Sequence, residues 1–469
     1  MNTTTDLQSA KFCNSGHGPN FQPVDIGHEK YLALINPETA FWMLIKKDEL
    51  GNFLTNGKLL DVYKTKAEEF NGDMRSLRSG LKPSAVYFNP TERCNFNCTY
   101  CYIPDEMRKN GPHMSGKQLM DGMRILKDYF GKTMPEGRKP QIIFHGSEPM
   151  LNREAVFAGI REFKSDFNFG IQTNATLLDD EAIGFIKENN IGIGISIDGP
   201  SPEIADASRH DWSGVGYFDT VKSVVPKLVG HPGFNVICTI TADNCAHLAD
   251  TVDMFHDLGV RTCMLNIVRC TRERSRTVKP DDATAARHYL RALDRTYELY
   301  RKTGSKLVVA NFANILIGIL APSARRLMCD ISPCGGGRCF FAVAANGDMF
   351  PCSEFVGVED YNGGNIFRDD IQSVIDGAVF KSMTDRKTED IHPCGSCAIR
   401  HFCGAPCPAE AYTMNGGMDK TGAFCEFYEE QVRYAFRLIA DKKEDAYLFD
   451  GWDKGTELSF EAGMMDYTL

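Results

Sequence analysis

From about residue 84 to 270, short apolar runs alternate with stretches whose apolar positions recur at helical spacing. AVYFNP, QIIFHG, FGIQTN, IGISID, NVICTI and CMLNIV read as strands, since each is a brief β-rich run. GKQLMDGMRILKDYF and DEAIGFIKENN read as the helices between them, with Ser115 and Asp179 or Asp180 placed as N-caps. Strand-helix alternation builds a parallel sheet. Six units are too few for a closed eight-stranded barrel, so the predicted fold is α/β, a partial (β/α)6 TIM-like barrel. Such sheets bind ligands at the carboxyl ends of their strands.

The flanking regions have other patterns. In residues 1–83, YLALINPETAFWMLI reads as strand, Asn-Pro turn and strand, and LLDVYKTKAEEF as a helix, which predicts a small α+β domain or a lid over the barrel. A long helix is predicted near 281–304, closing a barrel domain of residues 84–305. Residues 306–443 form a predicted cysteine-rich domain, poor in regular periodicity from Gly335, Gly336 and Gly337 onward and dependent on ligand bonds for its order. An amphipathic helix is expected at 426–442, and residues 444–469 form an acidic tail whose aromatics argue against complete disorder.

Composition narrows the function. The chain has 469 residues, 43% of them hydrophobic, and a formal charge of -10. That gives no basic footprint for nucleic acid or an anionic membrane. The start, MNTTTDLQSAKFCNSG, lacks the pattern of a signal peptide, and no run reaches about 18 apolar residues. These features predict a cytoplasmic protein that binds neither nucleic acid nor membrane.

Seventeen cysteines exceed what packing needs, and their spacing is uneven. Three lie within residues 94–101 and eight between Cys334 and Cys425, while Cys13, Cys238, Cys245, Cys263, Cys270 and Cys329 stand apart. In a reduced compartment such clusters favour metal or redox chemistry over disulfides. ERCNFNCTYCYIP follows the first predicted strand, which puts a CxxxCxxC loop at the ligand-binding end of the sheet. Three thiolates at this spacing can hold three irons of a cubane and leave the fourth open, although CxxC pairs also occur in zinc sites.

The loop resembles that of the radical S-adenosylmethionine (SAM) superfamily, and three further segments extend the resemblance. By it, Cys94, Cys98 and Cys101 hold a 4Fe-4S cluster whose open iron binds SAM, and Tyr100 lies against the adenine. FHGSEP resembles the family's Gly-Gly-Glu-Pro segment, placing Gly146, Ser147 and Glu148 to receive the SAM amino group, with Ser147 standing where the second glycine would be. IQTNATLLDDE places Gln172, Thr173 and Asn174 at the pocket, and ISIDGP places Ser196 and Asp198 near the ribose or carboxylate. Arg209, ahead of GVGYF, stands where relatives pair an arginine with the SAM carboxylate. Leu265 and Ile267 on the sixth strand are candidates to flank the adenine, or are plain core.

The second cysteine group resembles the SPASM extension of peptide-modifying radical SAM enzymes, including NGDMFPC, in which Gly347 precedes Cys352. That resemblance implies two auxiliary 4Fe-4S clusters and three in all. Cys334, Cys339, Cys352 and Cys407 would hold one, and Cys394, Cys397, Cys403 and Cys425 the other. Cys329 is an uncommitted thiol that replaces Cys339 or leaves an auxiliary iron open, and two zinc sites would also use eight cysteines. Cys238 and Cys263, in predicted strands, read as small buried hydrophobes.

The resemblance further implies an enzyme, a radical SAM oxidoreductase acting on a peptide or protein. One electron would cleave SAM to methionine and a 5′-deoxyadenosyl radical that abstracts a hydrogen, and the auxiliary clusters would take away the surplus electron. A low-potential donor such as flavodoxin or ferredoxin would supply the electron. Maturases of ribosomally made peptides, which form crosslinks such as thioethers, are the first expectation, with the N-terminal domain as a winged-helix-like leader-peptide reader. Anaerobic sulfatase maturases, which oxidise Cys or Ser to formylglycine, are the second. They carry an aspartate base directly after the cysteine matching Cys352, where this chain has Ser353 and then Glu354, the candidate catalytic base. An iron-sulfur carrier without catalysis would leave HGSEP and QTN without a role.

Overall fold

The computed structural model describes residues 20–51, 58–403 and 407–453. The start of the chain with Cys13, and the tail beyond residue 453, lie outside the described residues. Thirteen strands occur among those described. They are β1 Gln22–Val24, β2 Tyr31–Ile35, β3 Trp42–Lys46, β4 Ala85–Phe88, β5 Gln141–Phe144, β6 Asn168–Thr173, β7 Gly192–Ser196, β8 Phe234–Ile240, β9 Thr262–Ile267, β10 Val308–Val309, β11 Phe340–Val343, β12 Asp348–Phe350 and β13 Gly364–Asn365.

The six expected barrel strands are β4 to β9, paired in parallel in chain order. Their apolar residues are almost wholly buried, because helices cover one face and the barrel interior the other. The expected helices are also present. Gly116–Thr133 begins at a capping box in which the Ser115 hydroxyl accepts from Gln118 N at 3.2 Å and Gln118 Oε1 accepts from Ser115 N at 2.9 Å. Asp180–Glu188 is capped by Asp179, which accepts from Ala182 N at 2.8 Å. The helix expected near 281–304 spans Asp282–Thr303, and the one expected at 426–442 spans Cys425–Ala440.

The sheet is wider than six strands. β10 adds in parallel to β9, and β11 adds in parallel to β4 at the opposite edge, followed by antiparallel β12 and β13. The cysteine-rich region therefore contributes regular structure that its sequence pattern conceals. FFAV is buried on both faces and lacks alternation, while the turn after it is set by Asn346 and Gly347. Gly347 has φ +91° there, and a Cβ would lie 2.5 Å from the Phe367 ring.

β1, β2 and β3 form a separate antiparallel sheet, followed by the helix Lys58–Ser79. This unit is fastened to the C-terminal half of the chain. Trp42 Nε1 donates to Ile319 O at 2.8 Å, Arg78 pairs with Glu389 at 2.7 Å, and Arg338 Nη1 donates to Leu77 O at 2.8 Å.

Candidate active site

The loop after β4 carries Cys94, Cys98 and Cys101, and its shape is fixed mainly by backbone groups. Cys94 N donates to Arg108 O at 2.8 Å, Asn97 N to His210 O at 2.8 Å, and Thr99 N to Ser208 O at 3.0 Å. Arg108, almost wholly buried, bonds the carbonyls of Phe96 and Ile103 at 3.1 and 3.2 Å. Arg272 reaches Tyr102 O at 2.9 Å, and Trp212 Nε1 reaches Cys94 O at 2.9 Å. Burial pushes all three thiols up, Cys98 to about 11, so free thiolates are unfavourable unless a cation replaces the proton.

This loop faces a cavity of about 380 Å³ at the carboxyl ends of the strands. Seven cysteines line it: Cys94, Cys98 and Cys101 on the loop, and Cys329, Cys334, Cys352 and Cys407 on the opposite, C-terminal wall. Thiols such as these seven are the ligand type that iron-sulfur clusters take. Cys339 is not among them. It is 1% exposed, packed in the hydrophobic core just ahead of β11, while Cys329 presents its exposed surface to the cavity. The physical reason is the sheet: β11 pairs with β4, and that pairing draws the chain at Cys339 into the core. Cys394, Cys397, Cys403 and Cys425 lie apart from the cavity. Cys394, Cys397 and Cys425 are close enough to raise one another's thiol pKa, and Cys403 lies near the Arg325 guanidinium.

Tyr100, Gly146, Ser147, Gln172, Thr173, Asn174, Ser196, Arg209 and Ile267 all line the cavity. Gly146 has φ +101°, and a Cβ would collide with Asn89 at 2.4 Å. Ser147 Oγ donates to Glu92 O at 2.7 Å, which holds the segment after β5 against the cysteine loop. Arg209 Nη1 donates to the Tyr100 hydroxyl at 2.6 Å, and that hydroxyl donates to Asp198.

Three of the expected contacts sit elsewhere. Glu148 is fully buried, and its carboxylate accepts from Met150 N at 3.0 Å, Thr173 Oγ1 at 2.7 Å and Asn174 N at 2.8 Å, so it ties β5 to β6 rather than facing the cavity. Asp198, 1% exposed, stands behind Tyr100 and accepts from Thr239 N at 2.8 Å. Leu265 points away because strand residues alternate: Met264 and Asn266 line the cavity, and Leu265 is core.

Glu354, in the short turn after Cys352, lines the cavity between the two sulfur walls. Burial raises its pKa to about 7, partly offset by the nearby Arg269 guanidinium, and Oε2 has no hydrogen-bond partner. Arg269 follows β9 and donates to the Tyr428 hydroxyl at 3.3 Å. Sequence reasoning passed over Arg269, although a charged residue just beyond a strand's carboxyl end is a detectable signal. It also passed over Tyr428 and Gln431, which only the packing of helix Cys425–Ala440 brings to the cavity. His145 lies beside Tyr87 with ring centroids 5.2 Å apart. Its Nδ1 has no partner, and burial lowers its pKa to about 4, which keeps the imidazole neutral.

The chain is similar to known proteins in sequence and in fold. The radical SAM superfamily model matches residues 88–268, and an iron-sulfur cluster-binding domain, SPASM, matches 334–398. The chain is 36% identical to an uncharacterized protein of Archaeoglobus fulgidus over 86% of this chain and 91% of that one. It is 23% identical to the cysteine-type anaerobic sulfatase-maturating enzyme of Clostridium perfringens over 76% of this chain and 98% of that one. Among solved structures, the fold is similar to anSMEcpe with bound AdoMet (TM-score 0.70, 20% identity, 82% of this chain and 100% of that one). It is also similar to Streptococcus suis SuiB bound to the precursor peptide SuiA (TM-score 0.56, 13% identity, 84% and 97%). The chain belongs to the radical SAM superfamily and carries a SPASM domain. It is a radical SAM enzyme, and its domains imply 4Fe-4S clusters and SAM. No helix among the described residues is long and apolar enough to cross a membrane.

Proposed function

We propose that this enzyme is a peptide maturase that abstracts a hydrogen from a residue of a ribosomally made precursor and closes an oxidative crosslink such as a thioether. The observation that carries the reading is one cavity lined by Cys94, Cys98 and Cys101, by Cys329, Cys334, Cys352 and Cys407, and by Glu354, whose Oε2 has no hydrogen-bond partner. Cys94, Cys98 and Cys101 would hold the SAM-binding cluster. Cys329, Cys334, Cys352 and Cys407 would hold the first auxiliary cluster, with Cys329 replacing Cys339, and Cys394, Cys397, Cys403 and Cys425 the second, giving three in all.

Reductive cleavage of SAM supplies a 5′-deoxyadenosyl radical when the cofactors are bound. The chain's own groups do the rest. Tyr100 and Arg209 border the SAM pocket, with Asp198 holding the Tyr100 hydroxyl and Glu148 locking the strand ends beneath. Glu354 takes a proton from the substrate as it is oxidised, a task suited to a carboxylate whose pKa lies near neutrality. The buried walls exclude water from the radical and hold the target carbon in place. A peptide substrate is supported by the relatives, whose names describe sulfatase maturation, and by SuiB, whose structure holds a precursor peptide. The strand order leaves β1 and β3 as sheet edges, where a leader peptide would add as a further strand.

Formylglycine formation is the second reading. The similarity to sulfatase-maturating enzymes favours it, with Glu354 serving in place of an aspartate at Ser353. Anaerobically reconstituted, reduced enzyme is to be incubated with SAM and either a short precursor peptide encoded beside its gene or a sulfatase peptide. A two-hydrogen mass loss in the first supports the crosslink. Loss of one sulfur and two hydrogens with gain of one oxygen at a cysteine of the second supports formylglycine. Unchanged masses for the precursor peptide overturn the first reading.

A further inference from the structure

We propose that Arg269 is the counter-ion of the first auxiliary cluster, its guanidinium held in the cavity by Tyr428 so that it raises the potential at which that cluster accepts an electron. The proposal rests on the assignment of that cluster to Cys329, Cys334, Cys352 and Cys407.

Arg269 stands two residues beyond β9, where the backbone is fixed on both sides. Val268 N donates to Ile240 O at 3.0 Å, and Cys270 N donates to Glu410 Oε1 at 3.0 Å. Val268 and Cys270 are wholly buried, so alternation turns the side chain between them into the cavity. There Nη1 donates to the Tyr428 hydroxyl at 3.3 Å, and no carboxylate forms an ion pair with the guanidinium among the described residues. The nearby carboxylates have other donors or stand farther off. Glu410 accepts from Cys270 N and from Ala423 N at 3.1 Å, and Asp330 accepts from Asn314 Nδ2 at 3.2 Å. Glu354 feels the guanidinium without pairing with it. A guanidinium withdrawn from water without a paired anion is costly, and an anion seated in the cavity removes that cost.

Position identifies the anion. The Arg269 guanidinium acts electrostatically on Cys329, Cys334 and Cys407. On the loop, Cys98 and Cys101 are under Arg209 and Arg108 instead. Arg338 and Arg386 also lie near Cys334, but neither lines the cavity and both are bound to backbone carbonyls, Arg338 to those of Leu77 and Pro333 and Arg386 to that of Met418. Four thiolates outweigh the positive charge of a cubane core, so the cluster is a net anion that becomes more negative when it gains an electron. A fixed cation beside it, in a buried site that screens poorly, stabilises the reduced form and raises the potential. In the proposed reaction the oxidised substrate gives up one electron and this cluster gains it, with no bond made or broken in the transfer. Arg269 favours that direction.

The test is a redox titration of the anaerobically reconstituted holoenzyme, followed by electron paramagnetic resonance. The signal lost in Cys407→Ala marks the auxiliary cluster, and the signal lost in Cys98→Ala marks the first. Arg269→Gln should move the auxiliary midpoint about 59 mV more negative, a tenfold change in the one-electron equilibrium constant, and leave the first cluster at its parental potential. Arg269→Lys, which keeps the charge, should move it less. Tyr428→Phe, which frees the guanidinium, should give a smaller shift of the same sign. Arg261→Gln, an exposed cation at the opposite end of β9, serves as control and should shift neither signal. If Arg269→Gln fails to hold the cluster, Arg269→Lys and Tyr428→Phe carry the test. A parental auxiliary midpoint in Arg269→Gln, or in both of the other two variants when they carry the test, would overturn the counter-ion alone, as would an equal shift of both clusters. If Cys329→Ala and Cys407→Ala leave every signal in place, the cluster assignment fails and the proposal with it.

Discussion

The cavity has two sulfur-bearing walls, and they are built by different means. On the barrel side, three cysteines sit within eight residues on a loop whose backbone is pinned by Arg108, Arg272 and Trp212. On the C-terminal side, four cysteines come from positions 329 to 407 and meet only because β11 joins β4 and helix Cys425–Ala440 folds back over the strand ends. A local motif keeps its geometry through nearby hydrogen bonds. A dispersed one depends on the whole sheet, so choosing its members requires knowing which side of a strand each faces.

The largest effect that tests this contrast is Cys98→Ala. Loss of one ligand on the local loop should reduce 5′-deoxyadenosine formation to background, while iron bound by the C-terminal wall persists in iron analysis and electron paramagnetic resonance. If that iron also disappears, the two walls are not independent.

Glu354→Gln should come next. Removing the base between the walls should lower product formation about 10²- to 10⁴-fold while SAM cleavage continues, a split visible by comparing 5′-deoxyadenosine with modified substrate. Equal losses of both would assign Glu354 to cofactor binding instead.

The dispersed wall is sharpened by comparing Cys329→Ala with Cys339→Ala. The first should lose one auxiliary cluster's worth of iron. The second should keep its iron and lose only about 1 kcal/mol of stability, the usual scale for trimming a small buried side chain. The reverse result would restore Cys339 as the ligand.

The smallest effect concerns pH. His145 has a folded pKa of about 4 against an ordinary 6.5, so the unfolded chain binds its proton first as pH falls. The stability linked to its neutral form is full above about 6.5 and drains away as pH falls toward 4. Melting temperature should drop by a few degrees more between pH 7 and 5 in the parent than in His145→Gln. Parallel curves would show that the imidazole is not held neutral.

Much of the local wall was legible in sequence. The CxxxCxxC loop, the six strands and the caps at Ser115 and Asp179 all rest on short-range patterns that the structure reproduces. Gly146, Ser147, Gln172 and Asn174 reach the cavity because a segment after a strand's carboxyl end has few other places to go. Glu148 and Asp198 belong to the same segments, but their carboxylates are used by buried donors, which spacing does not reveal.

The sequence by itself determined the chemical class, since Cys94, Cys98 and Cys101 lie within a span that fixes their mutual reach whatever the rest of the chain does. Only the tertiary structure decided that Cys329 rather than Cys339 faces the cavity, that Leu265 belongs to the core, and that Arg269 and Tyr428 meet near Glu354. Those outcomes turn on which face of a strand or helix is buried, and burial is settled by partners far away in the chain.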